Sequence, residues 1–162
     1  MKDVFKKTDK ITLLITTFLG SGMLPKMPGT YGSLAAAIVA YPIALVSFTG
    51  CFALASAIVF FGAIPFVAKA MKDTATEDPG WIVIDEVVGM WMALAFIDPT
   101  YIVDKPWLLL FGFALFRFFD ILKPLGIHQL EKLPGAWGVM ADDLLGGIYS
   151  GIIMLTLVST IF

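Results

Sequence analysis

The run IVIDEVVGMW, residues 82–91, sets two adjacent carboxylates, Asp85 and Glu86, inside an otherwise apolar stretch. In a soluble chain this would be a helix with one polar edge. The rest of the chain argues otherwise: 59% of its 162 residues are hydrophobic, 15% are charged, and mean hydropathy is +0.89. A soluble domain is about 45–50% apolar and about 25% charged. The sequence therefore reads as an integral membrane protein, with 82–91 inside a membrane helix. Acids at membrane depth are costly and face a protein interior or a wet cavity, so the pair marks a functional site.

Working outward, apolar runs at 34–48, 51–71, 81–97, 107–122 and 142–162 give five spans, with Pro65 a kink in the second. The expected fold class is all-α: a polytopic helical bundle of about five spans, one domain over residues 1–162. Lys2, Lys6, Lys7 and Lys10 precede the apolar run 11–19, which imitates a secretory signal. No small-x-small cleavage pattern follows, and the run is shorter than the about 20 residues a span needs. It reads as an N-terminal interfacial helix. Residues 20–33, GSGMLPKMPGTYGS, hold four Gly and two Pro and read as irregular backbone, with Thr30 or Ser33 capping the next helix.

The positive-inside rule then orients the chain. With the N-terminus inside, ten of the eleven cations fall on inner segments and only Lys105 lies outside. The same topology gathers the unusual polar residues at the inner face. These are the 20–33 segment with Lys26, Asp78 with Asp85 and Glu86, then Arg117, Asp120 and Lys123, and finally Asp142 and Asp143. Arg117, Asp120 and Lys123 share a helix face by their spacing of three. Asp85 and Glu86 diverge by about 100°, so one is expected on a metal and the other on a second metal, a water or a cation. Asp142 and Asp143 open the last span, where the helix dipole favours anions.

So many carboxylates in one small region stay ionised only when a cation neutralises them. The chain has one cysteine, Cys51, and one histidine, His128, so no Cys/His metal cluster is possible and oxygen ligands point to Mg²⁺. Arg117 and Lys123 suit phosphate oxygens, and the glycine-rich segment offers N–H groups to an anion. Metal, cations and N–H donors together suit phosphoryl chemistry, and a site at headgroup level suits a phospholipid. The net charge of -2 suggests no nucleic-acid partner. Each feature also has a plain structural explanation: a helix cap for Asp142–Asp143, an intrahelical pair for Arg117–Asp120, a snorkelling lysine for Lys123, and a connector for 20–33. His128 reads as an exposed loop residue and Cys51 as packing.

Four segments, GSGMLPKMPGTYGSLAA, DPGWIVIDEVVGMW, FRFFDILKPLGI and GVMADDLLGGIYSGI, resemble in order and spacing the motifs of bacterial phosphatidylglycerophosphatase A. The resemblance covers about residues 19–152. It implies a Mg²⁺-dependent lipid phosphatase of the bacterial inner (cytoplasmic) membrane, which converts phosphatidylglycerophosphate to phosphatidylglycerol and phosphate. Carried over by motif, the acids are Asp78, Asp85, Glu86, Asp120, Asp142 and Asp143, and the basic residues are Arg117 and Lys123. The loop is Pro28, Gly29, Thr30, Gly32 and Ser33. Asp78, Asp85, Glu86, Asp142 and Asp143 are the metal candidates; Lys26, Thr30, Gly32, Ser33, Arg117 and Lys123 are the phosphate-binding candidates. Attack by a metal-activated water and attack by a carboxylate both fit, the first favoured because no nucleophile stands out.

Three other classes fit less well. A small cation transporter or channel needs polar residues at several depths, whereas the outer halves here are nearly pure apolar. A CDP-alcohol-type phosphotransferase needs its acids around one hairpin, and here they are spread over three spans. A non-catalytic assembly subunit needs no such gathering of charge.

Overall fold

The computed structural model describes residues 7–161 and is all-α, helices joined by turns and loops, with no strand among those residues. Lys2 and Lys6, counted above for orientation, lie outside the described residues. The helices are α1 (Lys10–Thr16), α2 (Pro28–Val46), α3 (Cys51–Thr74), α4 (Ile84–Leu94), α5 (Pro99–Asp104), α6 (Trp107–Leu122), α7 (Ile127–Leu130) and α8 (Ala136–Ile161). Among the described residues, three helices are long and apolar enough to cross a membrane: α2 with 19 residues, α3 with 24 and α8 with 26.

This differs from the five spans expected. The stretch 81–97 forms a helix of only 11 residues, α4, and 107–122 forms one of 16, α6. At about 1.5 Å per residue, α4 rises only about 16 Å against a hydrocarbon core of about 30 Å. Its hydropathy reflects burial in protein: nine of its 11 residues are buried, Glu86 and Met92 being the partly exposed ones.

Helix α4 is the hub of the bundle, packed against α2, α3, α6 and most extensively α8. Hydrogen bonds pin it on two sides. Trp91 Nε1 donates to Ala36 O at 3.1 Å, and Ser56 Oγ donates to Val88 O at 2.9 Å. Its entry is tied to α1, where Val83 N donates to Thr16 O at 2.8 Å. On the α8 side, Gly89 and Gly147 face each other so closely that a Cβ on Gly147 would lie 2.9 Å from Gly89 Cα. Small residues at a crossing let two backbones approach in this way.

Two helix starts also differ from expectation. Helix α2 begins at Pro28, where the fixed φ of proline suits the first helical position. Thr30 and Ser33 therefore lie inside the helix and do not cap it; Ser33 Oγ donates to Gly29 O at 2.8 Å. Helix α8 begins at Ala136, after Gly135 with φ 62°, so Asp142 and Asp143 sit in its second turn. The dipole at a helix start is concentrated in the first turn and does not account for them.

The loops sort to two ends. The α2–α3 turn meets the α4–α5 connection through a hydrogen bond from Thr49 Oγ1 to Asp98. Asp98 also caps α5, accepting from Thr100 N and Oγ1, and these hydroxyls hold its carboxyl below the usual carboxylate range. At the opposite end, Asp9 caps α1 and pairs with Lys69 near the end of α3.

Candidate active site

At that second end the helices enclose a cavity of about 630 Å³. Its walls include Asp78 and Gly80 from the α3–α4 loop, Asp85 and Glu86 from α4, and Asp120 and Lys123 from the end of α6. Lys132 and Leu133 come from the loop after α7, and Asp142 and Asp143 from α8. Every acid singled out in the sequence lines this one space.

The glycine crossing explains the meeting. Asp85 and Gly89 are four residues apart on α4, and Asp143 and Gly147 are four apart on α8, so each acid stands one turn from its glycine on the same helix face. Where the glycines touch, the carboxylates converge. Oxygens of Asp85, Glu86 and Asp143 lie within 4.8 Å of one another. Glu86, longer by one methylene, reaches the same point as its neighbour despite the turn between them, so both acids belong to one cluster.

The surroundings fit a hard divalent cation. Asp85 and Asp143 are buried, and Glu86 Oε2 is buried with no hydrogen-bond partner. Three carboxylates held together in a sheltered place repel one another unless a cation is shared, and oxygen-only donors suit a hard divalent cation. Asp142 is not in this trio. Its Oδ2 accepts from Lys123 Nζ at 2.8 Å, and its Oδ1 is buried without a partner.

Both expected basic residues are present and both are engaged. Arg117 forms an ion pair with Asp120 and stands 4.0 Å from Glu86 Oε1. Lys123 bridges Asp142 and Glu131, donating to Glu131 Oε1 at 3.1 Å. Burial alone would lower the pKa of the Lys123 ammonium, but its bonds to Asp142 and Glu131 outweigh that and hold it above the usual lysine value. In return Lys123 keeps the Glu131 carboxyl below its usual range.

The glycine-rich segment contributes less than its sequence promised. Gly29 stands at the site, where a Cβ would run into Glu86 Oε1 and lie 3.1 Å from Arg117 Nη1. Gly32 packs on the Val83 side chain, Ser33 is consumed by its own helix, and Thr30 does not line the cavity. Lys26 is exposed and away from the cavity wall, and Asp78 is exposed at its rim outside the carboxylate trio. Sequence reasoning missed Glu131 and Lys132. Their signal was two charges beside a Pro-Gly pair in the loop leading to Asp142.

The comparisons with known proteins agree with this chemistry. Residues 14–158 match the family Phosphatidylglycerophosphatase A. A Haemophilus influenzae protein named phosphatidylglycerophosphatase A is 39% identical over 147 residues, 89% of this chain and 86% of its own. The Escherichia coli protein of the same name is 35% identical over 92% of this chain and 86% of its own. A Bacteroides thetaiotaomicron protein named "Putative phosphatidylinositol-3-phosphatase" is 39% identical over 92% of this chain and 94% of its own. No solved structure matches the chain. The long apolar helices together with these matches define a membrane-associated phosphatase. The chain belongs to the phosphatidylglycerophosphatase A family.

Proposed function

We propose that this protein hydrolyses the terminal phosphate monoester of phosphatidylglycerophosphate, releasing phosphatidylglycerol and inorganic phosphate. The observation that carries the reading is the convergence of Asp85, Glu86 and Asp143 within 4.8 Å in a cavity shared with Lys123. These three residues would hold Mg²⁺. Bound there, the cation supplies charge neutralisation for the phosphate oxygens and lowers the pKa of water.

The chain's own residues do the rest. Lys123, fixed and protonated on the cavity wall, faces the negative charge that spreads over the phosphoryl oxygens, while Arg117, which does not line the cavity, acts through Glu86 and Asp120. Asp142 is held by one oxygen and free at the other, which suits it to orient the attacking water and accept its proton. A new bond forms between the water oxygen and phosphorus, the bond to the headgroup oxygen breaks, and that oxygen takes up the proton that Asp142 accepted, leaving the alcohol and inorganic phosphate. Gly29 keeps the start of α2 close to Glu86 and Arg117, leaving no room for a side chain there.

The proposed setting is the bacterial inner membrane, with one domain over residues 1–162 crossing it five times. The short helices α4 and α6 would cross with the help of their flanks. The clasp between Thr49 and Asp98 supports this, because five alternating spans put exactly those two loops on one side and every cavity loop on the other. The excess of cations on the cavity side favours the cytoplasm.

The test is phosphate release by purified protein in detergent, with Mg²⁺ and then with EDTA, from phosphatidylglycerophosphate and from phosphatidylinositol 3-phosphate. Mg²⁺-dependent release from the first lipid is expected. Release from the inositol lipid alone would move the substrate to that named for the Bacteroides relative, and release from neither would end the phosphatase reading.

A further inference from the structure

We propose that Lys132 is a specificity-determining residue that binds a second phosphate of the substrate, the diester linking headgroup to diacylglycerol. This rests on the lipid-phosphatase reading above and adds to it a way of selecting lipids that carry two phosphates.

The argument begins with charge. The scissile monoester belongs at the carboxylate trio beside Lys123, with Arg117 paired to Glu86 and Asp120 outside the cavity lining. Those cations are already committed, Arg117 to Asp120 and Glu86, and Lys123 to Asp142 and Glu131. A lipid with a second phosphate brings one more negative charge into a space walled by carboxylates, and that charge needs a counterpart. Two lysines line the cavity, Lys123 and Lys132, and Lys132 makes no ion pair among the described residues.

Position supports the assignment. The next residue, Leu133, lines the cavity and is also exposed, as Trp137 is at the start of α8. Polar cavity and apolar surface therefore meet beside Lys132. In a phospholipid, the diester phosphate lies where the polar headgroup joins the apolar part. The loop is seated and does not hang free: Gly138 lies against the Glu131 and Leu133 carbonyls, where a Cβ would stand 2.7 and 2.5 Å away.

The test uses the full-length protein in mixed micelles with Mg²⁺. Two probes separate the phosphates. Phosphatidylglycerophosphate carries both, and inorganic phosphate, as a competitive inhibitor, samples the monoester position alone. For Lys132→Gln, the KM for the lipid is expected to rise about three- to fivefold, the upper end for an exposed charge contact. The inhibition constant of inorganic phosphate is expected to shift by less than about twofold, with the loss confined to KM. Lys132→Arg should restore the native KM. The gap between native and Lys132→Gln should narrow as salt is raised. Equal shifts for both probes, or an unchanged lipid KM, would overturn the proposal. A native protein that releases no phosphate from the lipid would overturn the underlying reading itself.

Discussion

Gly147→Ala tests how the site is assembled. The new Cβ would stand 2.9 Å from Gly89 Cα and closer still to Gly89 O. Carbon atoms in contact sit about 3.5–4.0 Å apart, so α8 and α4 must part by roughly 0.6–1 Å. Backbone cannot swing aside as a side chain can, and overpacking of this kind costs about 1–3 kcal/mol. Asp143 rides on the same helix one turn away and moves with it. Mg²⁺ demands near-ideal geometry at about 2.0–2.1 Å, and ligands displaced by much more than about 0.2 Å bind poorly. The half-saturating Mg²⁺ concentration for phosphate release is therefore expected to rise about tenfold or more, roughly 1.4 kcal/mol of binding energy. The assay is a Mg²⁺ titration of turnover, with thermal unfolding followed in parallel to register the packing cost. Gly62→Ala is the control. It too replaces a helical glycine, but nothing lies within 4 Å of its Cβ, so its Mg²⁺ dependence should match the native protein. A folded Gly147→Ala variant with native Mg²⁺ dependence would refute the claim that this crossing sets the carboxylate geometry.

Other outcomes follow from the same contacts. Asp85→Asn removes charge and keeps shape, so turnover should fall at least about a hundredfold with thermal unfolding little changed; retained turnover would take Asp85 out of the cation set. Lys123→Met strands the buried Asp142 carboxylate and should destabilise by about 2–4 kcal/mol, whereas adding Asp142→Asn should restore stability but not turnover, as chemical denaturation and phosphate release would report. Asp98→Ala loses the α5 cap and the Thr49 clasp, so about 1 kcal/mol of stability should go with kcat unaltered. In a Cys51→Ala background, Asp78→Cys and Asp104→Cys should react with an impermeant thiol reagent from opposite faces of the membrane, the first from the cytoplasm. Labelling from one face only would break the five-span topology.

The gathering of the acids was more legible in the sequence than the fold around them. Asp85, Glu86, Asp120, Asp142 and Asp143 could be gathered from hydropathy and loop charge alone, because an acid in an apolar run has few places to go. The span count was harder to read. Hydropathy measures removal from water and does not distinguish burial in lipid from burial in protein, so the run 81–97 reads as one full-length helix although α4, buried in protein, is about half the length of a span and would need its flanks to cross. The helix starts were obscured because serine and threonine signal a cap, while Pro28 starts α2 without one. The approach of Gly89 to Gly147 joins residues far apart in sequence and leaves no local pattern. The partnership of Lys123 with Glu131 was hidden likewise, since it depends on how the 123–135 connection folds back over the cavity.

The carboxylate trio also sets an order of events during synthesis. Asp85 and Glu86 are made some fifty residues before Asp142 and Asp143, yet neither pair alone offers a cation three carboxylates. Until α8 enters the membrane, α4 has lost its most extensive partner and carries two acids with nothing to share between them. A ribosome-bound chain stopped before Ala136 is therefore expected to leave α4 open to protease, and release of the last helix to close the bundle and complete the site in a single step.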